Sequence, residues 1–313
     1  MMSLRMTLPC RLGSDVRRAA FAVMVSLVFG IAAGSPPNVA DATAHGSTAA
    51  VPAWLRGVWT REWIQKGKAQ SNTLDVHYLQ TQTYFADIRI PKDRGRYRNA
   101  ASFTDLTDQQ LRLLASQNGF TGLATASGEV ATWNHDIQFQ PSDGTPDKGR
   151  LQRIAPSRMH EHGLDGSYIE SWKSTTGSNE HFLVIRVEHG GRLLKTLVVV
   201  GNQFVYVRNR AMDLPTAESF DALIDSTKAS RARIEEYLDC EFSLGRVRGG
   251  SVPWQIEQST LPWREGHHLD FVEEISPTDG PNGLAPRAAG DDVWTVPVNT
   301  LIAREIGELF GGN

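Results

Sequence analysis

A short pattern of glycine and aromatic residues occurs twice in this chain, at positions 109 residues apart. The first copy has Leu55, Gly57, Trp59 and Trp63, and the second has Leu164, Gly166, Tyr168 and Trp172. A further match relates Phe120 and Gly128–Trp133 in the first half to Phe242 and Gly250–Trp254 in the second. Because the same features recur in the same order, the sequence predicts two similar units in tandem.

Alternation of apolar and polar residues predicts that both units are built from short antiparallel strands. The clearest case is Tyr84–Ile90. One face of this strand carries Tyr84, Ala86, Ile88 and Ile90, and the opposite face carries Phe85, Asp87 and Arg89. A strand that presents charged and aromatic groups together on one face is expected to line an interior of mixed polarity.

Helical patterns interrupt the strands once in each unit. They predict helices over Thr104–Gln117, with Thr104 as N-cap, over Thr216–Leu238, and over Thr300–Leu309 near the end of the chain. A strand is expected at Leu269–Glu274 and a loop at Pro277–Gly290. Many short strands with one inserted helix predict two small closed barrels, because closure removes the exposed sheet edges.

The expected organisation is therefore mainly β, with two tandem antiparallel barrels. Residues 52–158 would form the first barrel, residues 163–275 the second, and residues 276–313 a C-terminal loop, strand and short helix. Residues 159–162 would be a linker between the barrels.

The N-terminus has the pattern of an export signal. Positive charges (Arg5, Arg11, Arg17 and Arg18) precede Ala19–Ala33, an apolar run of fifteen residues. Such a run is short for a membrane span, so we expect a cleaved signal and flexible segment over residues 1–45, export to the periplasm or beyond, and no stable membrane span afterwards. A retained anchor is the alternative.

Charge and cysteine content exclude some functions. The chain has 32 basic and 35 acidic residues and no basic run, so we expect no nucleic-acid partner. Cys10 lies in the signal segment, which leaves Cys240 without a partner for an intramolecular disulfide. We expect Cys240 to be a buried small residue rather than a nucleophile.

The motif Gly57-Val-Trp59, with its weaker echo Gly166-Ser-Tyr168, resembles the start of the first strand in lipocalin and calycin barrels. Together with Tyr84–Pro91 and Trp133–Pro141, it resembles a two-barrel calycin-like family of largely uncharacterised bacterial and fungal proteins. The resemblance covers residues 52–275. It implies that Trp59, and its counterpart Tyr168, close the bottom of a barrel, and it implies a fold more than a ligand.

The sequence predicts no metal and no cofactor. His160 and His162 were expected in the linker, and the remaining histidines lack the spacing of a zinc site. Nucleotide-binding and serine-hydrolase motifs are also missing.

Candidate site residues lie on strands of the first unit. Asp87 and Arg89, two residues apart on one face, suit a base and an anion holder, and His135 suits a general base or a ligand contact. A structural ion pair and a hydrogen-bonded core histidine are the alternative interpretations. The predicted ligand contacts are Trp63, His77, Arg89, Trp133 and His135, with His135 on the same face as Ile137 and Phe139.

These features favour an exported protein that binds a small, mainly apolar molecule in the first barrel, with Arg89 and His135 orienting a polar head group. One alternative is a cofactor-independent isomerase, hydratase or cyclase acting on a lipophilic substrate, with Asp87 or His135 in proton transfer. Another is a structural or partner-binding envelope protein. The identity of the ligand, catalysis and the oligomeric state are not predicted by the sequence.

Overall fold

Two large antiparallel sheets, a two-stranded ribbon and four α-helices form the described part of the computed structural model, which covers residues 50–97, 99–175, 181–288 and 290–311. The predicted signal segment, residues 1–45, lies outside these ranges, so export stays a prediction. Within the described ranges, no helix is both long enough and apolar enough to cross a membrane.

The first sheet closes into an eight-stranded barrel. The nine strands of this sheet are β1 (Gly57–Lys66), β2 (Ala69–Ser71), β3 (Leu74–Gln80), β4 (Tyr84–Pro91), β5 (Asn118–Ser127), β6 (Val130–Gln138), β7 (Asp147–Ala155), β8 (Arg158–Gly163) and β9 (Ile169–Ser174). Neighbours pair in chain order from β3 to β9, β1 pairs with β3, and β9 returns to pair with β1. The short strand β2 pairs only with the end of β1 and stays outside the closed ring.

The two copies of the repeat lie side by side in this one barrel. Strand β9 contains Trp172 of the second copy and pairs antiparallel with β1, which contains Trp59 and Trp63 of the first copy. The sequence analysis assigned β9 to the start of a second barrel. Its hydrogen bonds instead complete the first barrel, because β1 would otherwise present an unpaired edge.

The second sheet is open rather than barrel-shaped. It contains β10 (Phe182–His189), β11 (Arg192–Val200), β12 (Gln203–Arg208), β13 (Glu241–Arg246), β14 (Gln255–Ser259) and the C-terminal strand β17 (Val293–Asn299), in the order β14-β13-β12-β11-β10-β17. Among the described residues, no pairing joins the edge strands β14 and β17. The second closed barrel expected from the sequence is therefore not what these strands form. A two-stranded ribbon pairs β15 (Ile275–Pro277), which ends where the predicted loop begins, with β16 (Leu284–Pro286), which lies within that loop.

The helices begin and end at different residues from those predicted. Helix α1 (Asp108–Ala115) is capped by Thr107, whose hydroxyl accepts a hydrogen bond from the backbone N–H of Gln110 at 3.3 Å. The predicted cap, Thr104, lies in a preceding 3₁₀ turn, Phe103–Asp105. The expected strand at Leu269–Glu274 is also mostly a 3₁₀ helix, Asp270–Glu274.

The long helix predicted in the second half is two helices, α2 (Phe220–Thr227) and α3 (Arg231–Leu238). Lys228 separates them with a left-handed backbone, at φ 48°, and Ser230 caps the second helix by accepting from the N–H of Arg233. The closing helix, α4 (Ala303–Phe310), packs on the second sheet.

The outer wall of the barrel packs against one face of the second sheet. Ala86, Ile88 and Ile90 of β4 share a buried cluster with valines of β10, β11 and β12 and with α1, α2 and α3. This assignment confirms the predicted alternation in β4, because Phe85 lies in a separate cluster inside the barrel. Cys240 is buried in the shared core, as predicted, and burial raises the pKa of its thiol.

A buried arginine links the barrel to the second sheet. The Arg94 guanidinium donates hydrogen bonds to the Gln117 side chain at 2.8 Å and to the Ser259 carbonyl, and it pairs with Glu265. Gln117 in turn donates to the Thr260 carbonyl at 3.0 Å. These contacts hold the barrel wall in one position relative to β14.

Two β-bulges change which side chains face the barrel interior. The first shifts the β1–β9 register between Arg61 and Trp63, and the second shifts the β5–β6 register between Thr121 and Gly122. A bulge inserts one residue and reverses the alternation that follows it. Beyond the second bulge, Ile137 therefore packs in the outer core, whereas His135 before it contacts the interior ring of Phe85.

The second bulge requires a glycine. A Cβ atom at Gly122 would lie 2.0 Å from the Asn134 carbonyl oxygen and 2.8 Å from the Asp136 nitrogen. We expect Gly122→Ala to lower the free energy of unfolding by about 1 to 3 kcal/mol, because both clashes are with backbone atoms. Urea denaturation followed by circular dichroism measures this change.

Gly307→Ala is the matched control, since Gly307 lies in α4 with no atom near its Cβ position. Alanine there should leave stability unchanged or raise it by up to about 1 kcal/mol. Equal denaturation midpoints for the two variants would contradict the bulge assignment.

Candidate functional site

The barrel encloses a cavity of about 260 Å³. Its apolar wall is formed by Ile64, Phe120, Trp133, Met159 and Trp172. Its polar wall is formed by Tyr78, Asp87, Arg89, Asp147, Glu161, Tyr168 and Glu170, with Lys66 at the rim. The volume is near the lower end of the range for small-molecule sites.

The cavity opens towards the surface beside Arg89 and Phe120. Both side chains, together with Ile64 and Lys66, also border a wider groove of about 710 Å³ that runs past β2 towards α2. A small molecule in the groove therefore meets the cavity entrance without crossing a closed wall.

Away from the cavity, the barrel interior contains a packed cluster around Trp59. Trp59 is buried, donates its indole N–H to the Leu55 carbonyl at 2.7 Å and stacks edge-on against Trp54. It does not border the cavity. Tyr168, its counterpart in the repeat, instead borders the cavity.

Asp87 and Arg89 face the cavity and form a two-point ion pair. Arg89 Nε donates to Asp87 Oδ1 at 2.8 Å, and Arg89 Nη2 donates to Asp87 Oδ2 at 3.3 Å. Arg89 Nη1 also lies 3.7 Å from Glu170 Oε1, and Arg61 pairs with the same carboxylate. Burial raises the pKa of Asp87, although Arg89 partly offsets this effect.

Glu161 is a second carboxyl group of the cavity whose pKa is raised. It accepts a hydrogen bond from the Tyr168 hydroxyl at 2.8 Å. Burial, with a further contribution from the charge of Glu170, raises the pKa of Glu161 to about 8. Burial also raises the pKa of Tyr168. At pH 7 the cavity therefore holds a protonated carboxyl group beside a neutral phenol.

His135 lies at the entrance. Its ring stacks on Phe120 with centroids 4.5 Å apart, and Arg89 Cζ lies 4.9 Å from the centroid of Phe120. His135 Nε2 contacts Asp147 Oδ2 at 2.9 Å, so this nitrogen carries a proton when the carboxylate is ionised. His135 Nδ1 lies 3.0 Å from the Gln138 amide oxygen.

The predicted site residues thus fall into two groups. Asp87, Arg89 and Trp133 border the cavity, and His135 borders the groove at its entrance. Trp63 and His77 do not.

Trp63 follows the bulge in β1, points out of the barrel and packs against His160 with ring centroids 5.5 Å apart. His77 alternates with the interior residues Val76 and Tyr78 and borders an outer groove against the second sheet. Burial lowers the pKa of His77, partly offset by Asp75. Both side chains therefore lie outside the lining of this cavity, and their role as ligand contacts stays a prediction.

Sequence reasoning missed Glu161, Glu170, Tyr168 and Tyr78. The residues around Glu161 were interpreted as a linker, but they form β8, with Met159 and Glu161 inside and His160 outside. The alternation of Met159 and Glu161 with His160 and His162 was the available signal. Among the described residues, no group of three or more side chains is arranged to hold a metal ion.

No family model matches this chain, and no curated protein matches it. One solved structure is similar over much of the fold: an uncharacterised protein from Saccharomyces cerevisiae, at 12% sequence identity and a TM-score of 0.46. The match covers 77% of this chain and 98% of the yeast chain.

The raised pKa of Glu161 makes stability depend on pH. An unfolded glutamate ionises near pH 4.3, so between about pH 4.5 and 8 the folded state holds a proton that the unfolded state has lost. Over this window, ionisation of the unfolded state lowers the free energy of unfolding by about 1.4 kcal/mol per pH unit. Glu161→Gln removes this effect and keeps an acceptor for Tyr168. The free energy of unfolding of the variant, relative to that of the wild type, should therefore increase from about pH 4.5 to 8. Urea denaturation at several pH values measures it.

Glu129→Gln is the matched control, because Glu129 is exposed at the turn between β5 and β6. Its difference from the wild type should stay near zero across the same range. A Glu161→Gln difference that does not change with pH would show that this carboxyl group ionises normally.

Proposed function

We propose that this is an exported, calycin-like protein whose barrel binds a small, mainly apolar molecule. The observation that supports this function is the cavity of about 260 Å³ inside the barrel, with an entrance from a surface groove. Protein interiors are normally close-packed, so an open space of this size beside aromatic side chains favours a binding role.

The aromatic wall would contact the body of the ligand. Trp133 and Trp172 border the cavity and are almost completely buried, so their rings are fixed by packing before a ligand enters. Trp133 also donates its indole N–H to the Tyr78 hydroxyl at 3.0 Å, which holds both rings in position. Preorganised aromatic surfaces bind apolar molecules at a low entropic cost.

The polar wall would orient one end of the ligand. Arg89 is held by Asp87, and His135 is held by Asp147, so neither has its main hydrogen-bonding group free for a head group. Glu161 and Tyr168 form the side of the cavity where a polar ligand atom would find both a donor and an acceptor.

A bulkier side chain at the entrance should weaken binding. Ile64 borders both the cavity and the groove, and Ile64→Trp would add an indole at the opening. We expect 2-phenylethanol, a small neutral aromatic probe, to bind the wild type in isothermal titration calorimetry and to bind Ile64→Trp about two- to tenfold more weakly, since one displaced aromatic contact is worth about 0.5 to 1.5 kcal/mol.

Ile154→Trp is the control, because Ile154 is an exposed residue of β7 that does not border the cavity. It should bind the probe like the wild type. Equal affinities for all three proteins would place binding outside the barrel, and no saturable binding to the wild type would refute the proposed function.

Proton-transfer catalysis on a lipophilic substrate is the second candidate. It is favoured by the raised pKa of Asp87, caused mainly by burial, and by a protonated Glu161 in the same cavity. A buried carboxylate of raised pKa can accept a proton near neutral pH, while a neutral acid or phenol can donate to a developing oxyanion.

Hydrogen exchange of an enolisable ketone tests this candidate. In deuterated buffer, the Asp87 carboxylate would remove an α-proton from phenylacetone to give the enolate, and a solvent-derived deuteron would be returned to the same carbon. Nuclear magnetic resonance should show exchange at least about tenfold above that in buffer alone, since general-base catalysis contributes ~10² or more. Asp87→Asn should remove the excess and Ile154→Trp should keep it. A wild-type rate equal to that in buffer would count against catalysis.

A further inference from the structure

The acidic side chains of the cavity differ in whether a cationic or imidazole group pairs with them. Four acids border it, and three of them have a cationic or imidazole partner: Asp87 pairs with Arg89, Glu170 with Arg61, and Asp147 with His135. Glu161 is the exception. In the part of the chain that the structure describes, no Lys, Arg or His nitrogen lies within 4.0 Å of its carboxyl oxygens.

The buried cations around the cavity already pair with carboxylates of the protein. Arg89 gives its Nε and Nη2 donors to Asp87, and Arg61 is buried against Glu170. Lys66 is exposed to water at the rim. The sequence predicted that Arg89 would hold an anion. The anion that it holds in this structure is Asp87, a residue of the protein itself. A carboxylate ligand would meet four acids without an unpaired buried cation.

The aromatic wall suits a cation as well as an apolar group. Tyr78, Trp133 and Trp172 border the same cavity as Glu161. Their rings have electron-rich faces, and an ammonium group beside such a face is stabilised by about 0.5 to 2 kcal/mol, most when it is removed from water.

We infer that the barrel cavity selects small aromatic or apolar molecules that carry a protonated amine, with Glu161 as the carboxylate that pairs with the ammonium group. This inference rests on the proposed binding function and names its ligand class. The ammonium group of the ligand would supply the cationic partner that Glu161 lacks, and the apolar body of the ligand would lie beside Trp133 and Trp172.

Binding is then coupled to loss of a proton from Glu161. The carboxyl group is protonated at pH 7, and burial is the main reason for its raised pKa of about 8. The groups that face or electrostatically influence it are those on β3, β4, β7 and β9 and in the turn before β9: Tyr78, Arg89, Asp147, Glu170 and Tyr168. An amine that stays protonated should bind about tenfold more tightly per unit of pH increase below the pKa of Glu161, because only the ionised carboxylate pairs with it.

Three probes with the same aromatic body test the inference: 2-phenylethylamine, 2-phenylethanol and 3-phenylpropanoate. Isothermal titration calorimetry on the full chain, at pH 6, 7 and 8, measures the ratio of amine affinity to alcohol affinity. We expect the amine to bind at least tenfold more tightly than the alcohol at pH 8, the ratio to fall towards pH 6, and the carboxylate to bind most weakly. Titrations in buffers of different ionisation enthalpy should show release of about one proton per amine at pH 7.

Glu161→Gln should reduce the amine-to-alcohol ratio to near one and remove its pH dependence, whereas Glu129→Gln should keep both. Loss of the ratio in Asp147→Asn but not in Glu161→Gln would overturn the assignment of Glu161. Alcohol binding with no preference for the amine would overturn the inference and leave the proposed function intact. Failure of all three probes to bind would refute both.

Discussion

The fold depends on one contact between distant parts of the chain, the antiparallel pairing of β1 with β9. This pairing closes the barrel and removes two sheet edges. Closure also buries charged side chains. Arg61 on β1 and Glu170 on β9 form a buried ion pair across the closure, next to Asp87 and Arg89 of β4. Removing one member of a buried pair leaves an uncompensated charge, which costs about 3 to 5 kcal/mol. The burial of each of these four side chains therefore depends on its ion-pair partners staying in place.

Charge also explains why the interior is only partly filled. At one end of the barrel, Trp59 and Leu55 pack tightly and satisfy each other by a hydrogen bond. At the other end, carboxyl groups project from several strands and cannot pack against one another without repulsion and desolvation. The barrel keeps an open space there, and protonation of Glu161 limits its net charge. The shape of this space is maintained from outside, because the second sheet and three helices pack against the barrel wall and Arg94 links the wall to β14.

The sequence predicted those features that depend on neighbouring residues along one strand. Alternation in Tyr84–Ile90 predicted that Phe85, Asp87 and Arg89 face inwards together, and they do. It failed where a bulge reverses the alternation, as for Trp63 and for Ile137. It also failed for Glu161, because a short strand with two histidines and no long apolar run has the composition of a linker. The second copy of the repeated pattern completes the same barrel instead of starting another.

The sequence by itself determined the strand-rich class of the fold, the closure of the first barrel and the inward face of β4, because these follow from local periodicity and from the need to pair sheet edges. The tertiary structure alone decided which strand closes the barrel, that the second sheet stays open, and that Glu161 and Glu170 join Asp87 and Arg89 around one cavity. The physical reason is that these outcomes depend on pairing between residues 104 to 115 positions apart and on two inserted residues that change the register, neither of which leaves a local pattern in the sequence.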